Sequence, residues 1–201
     1  MIDFDISIII IGLILLSILC IYLKFVMKKE NVFLLFFSIF YFYLLISIKY
    51  TLFPIPITMA KIFKNETTFL SGVNLIPFNF KSINYLLSKQ VIYNILLSIP
   101  FGFGISYITK LNRKKLVILA ISFGTIIESL QLTISLFLEY TYRFIDINDI
   151  IFNFIGVIIG FYLFKNFSIL VVKALNRVDL KIDLKSDTIL SYIYKISKEN
   201  I

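Results

Sequence analysis

The sequence predicts an all-α integral membrane protein: a bundle of about five transmembrane helices, N-terminus outside and C-terminus inside, with a basic cytoplasmic tail. Three observations carry this. The 201-residue chain is 59% hydrophobic with a mean hydropathy of +0.94, more apolar surface than a soluble domain of that length can hide. The apolar residues gather into runs close to the ~20 residues needed to cross a bilayer. The 20 basic residues, in a chain of net charge +8, flank those runs, which is the pattern of membrane topology and not of nucleic-acid binding.

Ile6–Leu23 is the first run. Asp3 and Asp5 precede it, without a positive start or a small-residue cleavage site, so it reads as a retained span and not a signal peptide. Cys20 lies inside it as a small buried hydrophobe. Lys24, Lys28 and Lys29 form a basic link to a second, aromatic-rich run, Val32–Ile48. Residues 1–49 are therefore read as two N-terminal helices.

Residues 50–164 are read as the core of the membrane domain. Lys49 to Gln90 is the longest polar interval. Pro54 and Pro56 cannot continue a regular helix. Asn74-Leu75-Ile76-Pro77-Phe78 is apolar enough to be pressed onto or into the membrane edge, or to be a packed loop. Asn65-Glu66-Thr67 reads as a chance sequon. Val91–Ile108 is the third span, with a kink expected around Pro100, Gly102 and Gly104. Lys110, Arg113, Lys114 and Lys115 link it to the fourth span, Leu116–Leu138. Glu139–Asn148 is a polar elbow. Asp149 opens the fifth span, which runs to about Phe164, or to Val172 if Lys165 snorkels.

Residues 165–201 are the tail. Val178–Leu184 alternates apolar and charged residues. After a Ser/Asp cap, Ile189, Tyr192, Ile193 and Ile196 share a helical stripe, which suggests a basic amphipathic segment resting on the inner leaflet.

Charge sets the expected orientation. With the N-terminus outside, inner segments hold Lys24, Lys28, Lys29, Lys110, Arg113, Lys114, Lys115 and the seven basic residues from Lys165 onward; outer segments hold Lys49, Lys61, Lys64, Lys81, Lys89 and Arg143. Both short basic links favour the inside.

Asp146, Asp149, Asn153, Gly156 and Gly160 recur at intervals of three and four, one face of a helix. Glu128 and Gln131 share a face of the preceding span. Glu128 is the one carboxylate inside a long apolar run, at a cost of about 2.5–3.5 kcal/mol if it faced lipid. It is therefore expected to face protein or water, paired with Arg143 directly or through water, or with Lys49. Depth counting brings Asn94, Asn153, Glu128, Gln131, Arg143 and the Asn74 segment together in the outer half of the bundle. The Gly156/Gly160 face is expected to allow close helix approach, bringing Asn153 near Glu128 and Gln131. Each amide alone equally suits a role as helix-tying hydrogen bonder, and Asp146, Asn148 and Asp149 equally suit helix capping.

These motifs resemble a known family. Asn74-Leu75-Ile76-Pro77-Phe78, then Asn94 with Pro100-Phe101-Gly102, then Glu128-x-x-Gln131 followed by Arg143, Asp146, Asp149, Asn153, Gly156 and Gly160, are similar to three motifs of the VanZ-like membrane proteins. That family is named for an accessory protein of teicoplanin-type glycopeptide resistance. The resemblance spans about Tyr50 to Phe164. It implies a multi-pass cell-membrane protein that lowers susceptibility to such antibiotics by acting on envelope material.

On that reading the ligand is a lipoglycopeptide or a lipid-linked wall precursor. Arg143 holds its anionic group, and Glu128, Gln131, Asn94 and Asn153 hold polar groups. An alternative is a membrane-embedded enzyme on a lipid-linked phosphate, with Glu128 as acid/base and Asp146/Asp149 on Mg²⁺. A second alternative is a non-catalytic scaffold. The absence of histidine excludes imidazole-based zinc sites and Ser-His or Cys-His catalysis. No resident metal or cofactor is expected, and the bilayer is the general partner.

Overall fold

The computed structural model describes residues 1–57, 72–79, 83–177 and 188–200. The Asn65 sequon and the Val178–Leu184 alternation lie outside them. Five helices are long and apolar enough to cross a bilayer: α1 (Ile6–Phe25), α2 (Asn31–Leu52), α3 (Lys89–Ile108), α4 (Arg113–Leu138) and α5 (Ile147–Arg177). A shorter helix, α6 (Ile189–Glu199), follows.

The boundaries follow from caps. Asp5 accepts from the Ile8 amide at the head of α1, Ser88 caps α3, and Asn112 accepts from the Lys115 amide at 2.8 Å. Asn112 is why α4 starts at Arg113 and not at Leu116: hydropathy marks the apolar run, whereas the cap sets the first turn. Glu139 ends α4 in the left-handed region, at φ 61°. Pro100 sits inside α3, which is assigned as one helix from Lys89 to Ile108. The helix α5 is longer than expected at both ends, starting at Ile147 and running 31 residues to Arg177. At 1.5 Å per residue it is about 46 Å long, more than the ~30 Å hydrocarbon core.

The helices α3 and α5 form the most closely packed pair. A Cβ built on Gly156 would meet the Ile95 carbonyl, one on Gly160 the Ile99 carbonyl, and one on Gly102 of α3 the backbone of Val157. Three glycines thus let two backbones touch. The helix α4 joins the same way: a Cβ on Gly124 would lie 2.9 Å from Ile150 Cα and 3.1 Å from Asn153 Cβ. Phe40, Phe101, Leu116, Ala120, Phe123 and Val157 form the core beside this seam. Phe101 and Phe123 stack at 4.4 Å. The helix α1 lies outside, against α2, where Tyr41 Oη donates to the Gly12 carbonyl at 2.9 Å.

The tail helix differs from expectation. Its cap is Thr188, in a reciprocal pair with Ser191. Most of its apolar stripe is turned to protein, while Ile189 is exposed. Tyr192, Ile193 and Ile196 pack with Val32, Phe36, Tyr107 and Phe164, and Tyr192 Oη donates to the Tyr107 carbonyl at 2.6 Å. The extra turns of α5 supply part of the surface on which α6 docks.

The glycine seam makes a contrast that unfolding in detergent will read. Gly160→Ala drives a Cβ into backbone and is expected to cost about 1–3 kcal/mol, seen as a lower unfolding temperature. Gly12→Ala meets only the tip of the Leu45 side chain, at 3.0 Å, and is expected to leave that temperature nearly unchanged.

Candidate functional site

The chain between α4 and α5 is an elbow whose backbone runs irregularly at one end of the bundle. It is held by a two-residue parallel pairing, β1 (Val73–Asn74) with β2 (Ile145–Asp146). Asp146 is the centre of this region. Its Oδ1 accepts from Asn74 Nδ2 at 2.9 Å and from the Asn148 amide at 2.8 Å, and its Oδ2 accepts from Tyr85 Oη at 3.0 Å. Its own amide donates to Glu128 Oε2 at 3.2 Å. Asn148 Oδ1 in turn accepts from the Phe78 amide at 2.7 Å. The Asn74–Phe78 segment is therefore pinned through its polar atoms, while the side chains of Leu75, Ile76 and Phe78 are exposed. Burial, and after it the Asp146 carboxylate, holds the Tyr85 hydroxyl above its ordinary pKa of 10.0, so it remains a donor.

A second set of bonds closes the end of α2. Pro54 and Pro56 have no N–H for the carbonyls four residues back, so the last turn of α2 keeps unfilled acceptors. Gln131 Nε2 donates to the Thr51 carbonyl at 2.9 Å, Tyr142 Oη to Leu52 at 3.2 Å, and Arg143 Nη2 to Phe53 at 2.6 Å. The expected direct Glu128–Arg143 bond is not formed, although both side chains line one cavity. The guanidinium bonds the carbonyl at the negative end of the α2 dipole, and Glu128 takes a backbone amide. Lys49 does not reach Glu128 either; its ammonium lies over the Phe4 and Tyr50 rings at 5.9 and 5.8 Å.

Between α2, α3, α4 and the elbow lies a cavity of about 790 Å³, within the ~300–1,000 Å³ of small-molecule sites. Glu128, Asp149, Arg143, Gln90, Asn94 and Gln131 line it, with Tyr50, Tyr93, Leu96, Leu97 and Phe144 as its apolar and aromatic wall. Asp149 Oδ2 accepts from Gln90 Nε2 at 2.8 Å. Asp149 Oδ1, Asn94 Nδ2 and Arg143 Nε are buried without a hydrogen-bond partner. The cavity thus offers a carboxylate acceptor and cationic and amide donors a few residues apart on its walls.

Of the residues expected to converge, Glu128, Gln131, Arg143, Asp149 and Asn94 share this cavity. Asn74 and Asp146 do not line it; they bind each other in the elbow behind it. Asn153 packs beside Gly124, one turn along α4 from Glu128, but does not line the cavity. It accepts from Ser98 Oγ at 2.6 Å inside the α3–α5 seam, because the glycines bring α5 onto α3. Gly156, Gly160 and Gly102 are in that seam, and Pro100 lies in the same helix as Gly102. The expected Asp146/Asp149 cation site has its Asp146 oxygens occupied by Asn74, Asn148 and Tyr85.

Gln90, Tyr85, Ser98 and Gly124 also belong to this region and are not among the residues expected from the sequence. Gly124 had a signal, since Gly124, Glu128 and Gln131 continue one helical stripe; Ser98 and Tyr85 had none.

A family model described as VanZ/LLP1 matches residues 40–171. Neither the comparison with curated proteins nor that with solved structures gave a match.

Removing the centre of the elbow should free the Asn74–Phe78 segment. Each hydrogen bond to a charged group contributes about 1.5–3 kcal/mol. Asp146→Ala is therefore expected to speed amide exchange at Ile76 and Phe78 by about tenfold or more. Tyr85→Phe, which removes one donor, should have a smaller effect in the same direction. Exchange mass spectrometry on the detergent-solubilised protein reads both.

Proposed function

Because the chain belongs to the VanZ/LLP1 family, we propose that it acts at the outer face of the cytoplasmic membrane, lowering susceptibility to teicoplanin-type glycopeptides by binding envelope material in the elbow cavity. The observation that carries this reading is the cavity itself: an arginine, two carboxylates and three amides collected at one end of the bundle. Ionisable groups at such depth are costly and mark ligand sites by default. The orientation is supported by charge. Lys24, Lys28, Lys29, Lys110, Arg113, Lys114 and Lys115 flank the helix ends opposite the elbow, where the positive-inside rule places the cytoplasm.

On this reading Arg143 supplies the contact to an anionic group, through the N–H atoms not used on Phe53. Gln90, Asn94 and Gln131 read neighbouring polar groups. The exposed Leu75, Ile76 and Phe78 rest in the outer interface beside the cavity mouth, held by the elbow behind them.

Deleting the gene is expected to lower tolerance to teicoplanin and to raise surface binding of the labelled antibiotic. Arg143→Ala and Glu128→Gln, at equal protein level, are expected to behave like the deletion. Wild-type tolerance in both variants would overturn the reading. Orientation has its own test: in a Cys20→Ser background, Phe137→Cys, at an 85% exposed position near the elbow end of α4, should be labelled in intact cells by a membrane-impermeant maleimide.

A further inference from the structure

We infer that the elbow cavity seats a lipid whose headgroup carries both a phosphate and a primary amine. The amine lies between Asp149 and Glu128, the phosphate at Arg143, and the acyl chains leave sideways between α2 and α3. This rests on the preceding reading that the cavity binds envelope material, and names the chemistry it selects.

The first ground is charge. Among the described residues that line the cavity, two are carboxylates and one, Arg143, is a cation. Two buried acids beside one cation ionise together only if a further positive charge joins Arg143. Arg143 is also partly committed, through Nη2, to the Phe53 carbonyl. An ammonium group beside Asp149 and Glu128 makes up the difference, in surroundings where a close opposite charge counts for more than in water.

The second ground is hydrogen bonding. Buried polar atoms are nearly always paired. Asp149 is only 5% exposed, and although Asn94 lies beside it, Asp149 Oδ1, Asn94 Nδ2 and, across the cavity lining, Arg143 Nε are left without a closed hydrogen bond. An open acceptor on the acid and an open donor on the arginine match a ligand with an N–H donor at one end and an anion at the other. A purely anionic headgroup would leave the Asp149 oxygen unpaired and set its charge beside two acids.

The third ground is shape. Three lining residues on the helix walls are open to the outside: Tyr50 of α2 at 66%, and Tyr93 and Leu96 of α3 at 62% and 55%. Leu96 is seven residues into α3, about 10 Å along the helix. The opening therefore reaches down the side of the bundle, where acyl chains lie, as well as to its end.

Two sources carry this chemistry: an aminated phospholipid, and a lipid-linked wall precursor whose peptide bears a free amine. The test uses the full chain in detergent, with binding read by native mass spectrometry. The probes are short-chain phosphatidylethanolamine, its N-acetylated form, phosphoethanolamine without chains, and an amine-bearing lipid-linked precursor with and without N-acetylation.

Acetylation is expected to weaken binding about tenfold or more, the weight of one charge-assisted contact. That factor should shrink to about one in Asp149→Asn and in Glu128→Gln, while Arg143→Gln weakens the amine and acetyl forms alike. The chain-free headgroup should bind at least about tenfold more weakly than the lipid, and Leu96→Trp, which fills the opening, should weaken the lipid only. The tighter of the two amine-bearing lipids identifies the source.

Equal affinity for amine and acetyl forms in the wild-type protein overturns the inference whether or not the acidic variants fold. If both forms then still depend on Arg143, envelope binding stands without amine selection. If neither depends on Arg143, both readings fall.

Discussion

The elbow end of this protein depends on Asp146 being fully bonded. Its carboxylate gathers Asn74, Tyr85 and Asn148, and its amide reaches Glu128, so one residue ties the polar loop, the turn before α3, the start of α5 and the middle of α4. Backbone that is neither helix nor closed sheet survives near a bilayer only when protein covers its polar groups. The two-residue strand pairing is too short to do this alone. Without Asp146, the amide side of the Asn74–Phe78 segment would have to find its partners in water, and the wall behind the cavity would lose its shape.

The cavity exists because cohesion is unevenly spread. Helices in lipid gain little from hiding apolar surface from one another, so close packing and a few interhelical hydrogen bonds hold them. Here that packing is concentrated where Gly102, Gly124, Gly156 and Gly160 let α3, α4 and α5 meet backbone to backbone. At the elbow end, α2 joins this unit by another means: Tyr43 Oη donates to the Leu97 carbonyl, and Gln131, Tyr142 and Arg143 donate to the Thr51, Leu52 and Phe53 carbonyls where α2 ends. Bonds made at the tips of long side chains hold α2 at a distance from the seam. The space between becomes the polar cavity.

Much of this was legible in the sequence, for a physical reason. Hydropathy and proline mark where spans begin and end, and a recurrence of three and four marks a helical face; both are local properties. All five spans, the elbow and the close α5 face follow from them. What was not legible depends on backbone atoms and on distance. Glu128 was given an arginine because a carboxylate in an apolar run needs a donor, but the donor is the Asp146 amide, and amides leave no trace in a sequence. Depth along a helix is easy to count, while rotation about it is not, so the sequence brings Asn153 to the level of Glu128 but not to its Ser98 partner. The glycine contact that turns Asn153 toward Ser98 has to be seen in space. The tail stripe showed that α6 buries one face, without showing that the extended end of α5 would help receive it.

The engagement of Arg143 with the Phe53 carbonyl shapes the electrostatics of the cavity. A buried Glu128–Arg143 pair would have closed the cavity's charge within the protein, leaving amides to do the rest. Instead the guanidinium is drawn toward the carbonyl end of α2, where proline has removed the normal donors and the helix dipole is negative. Glu128 receives a neutral donor at 3.2 Å, and Asp149 receives one amide and keeps an oxygen unpaired. The proline break in α2 and the acids in α4 and α5 are far apart in sequence, yet they act on the same space: the break engages the arginine that would otherwise neutralise an acid. A site built this way is stable as protein because Glu128, Asp149, Gln131 and Arg143 each have at least one partner. It remains incomplete as a charge distribution, which is the property a binding site needs if its ligand is to be held more firmly than water.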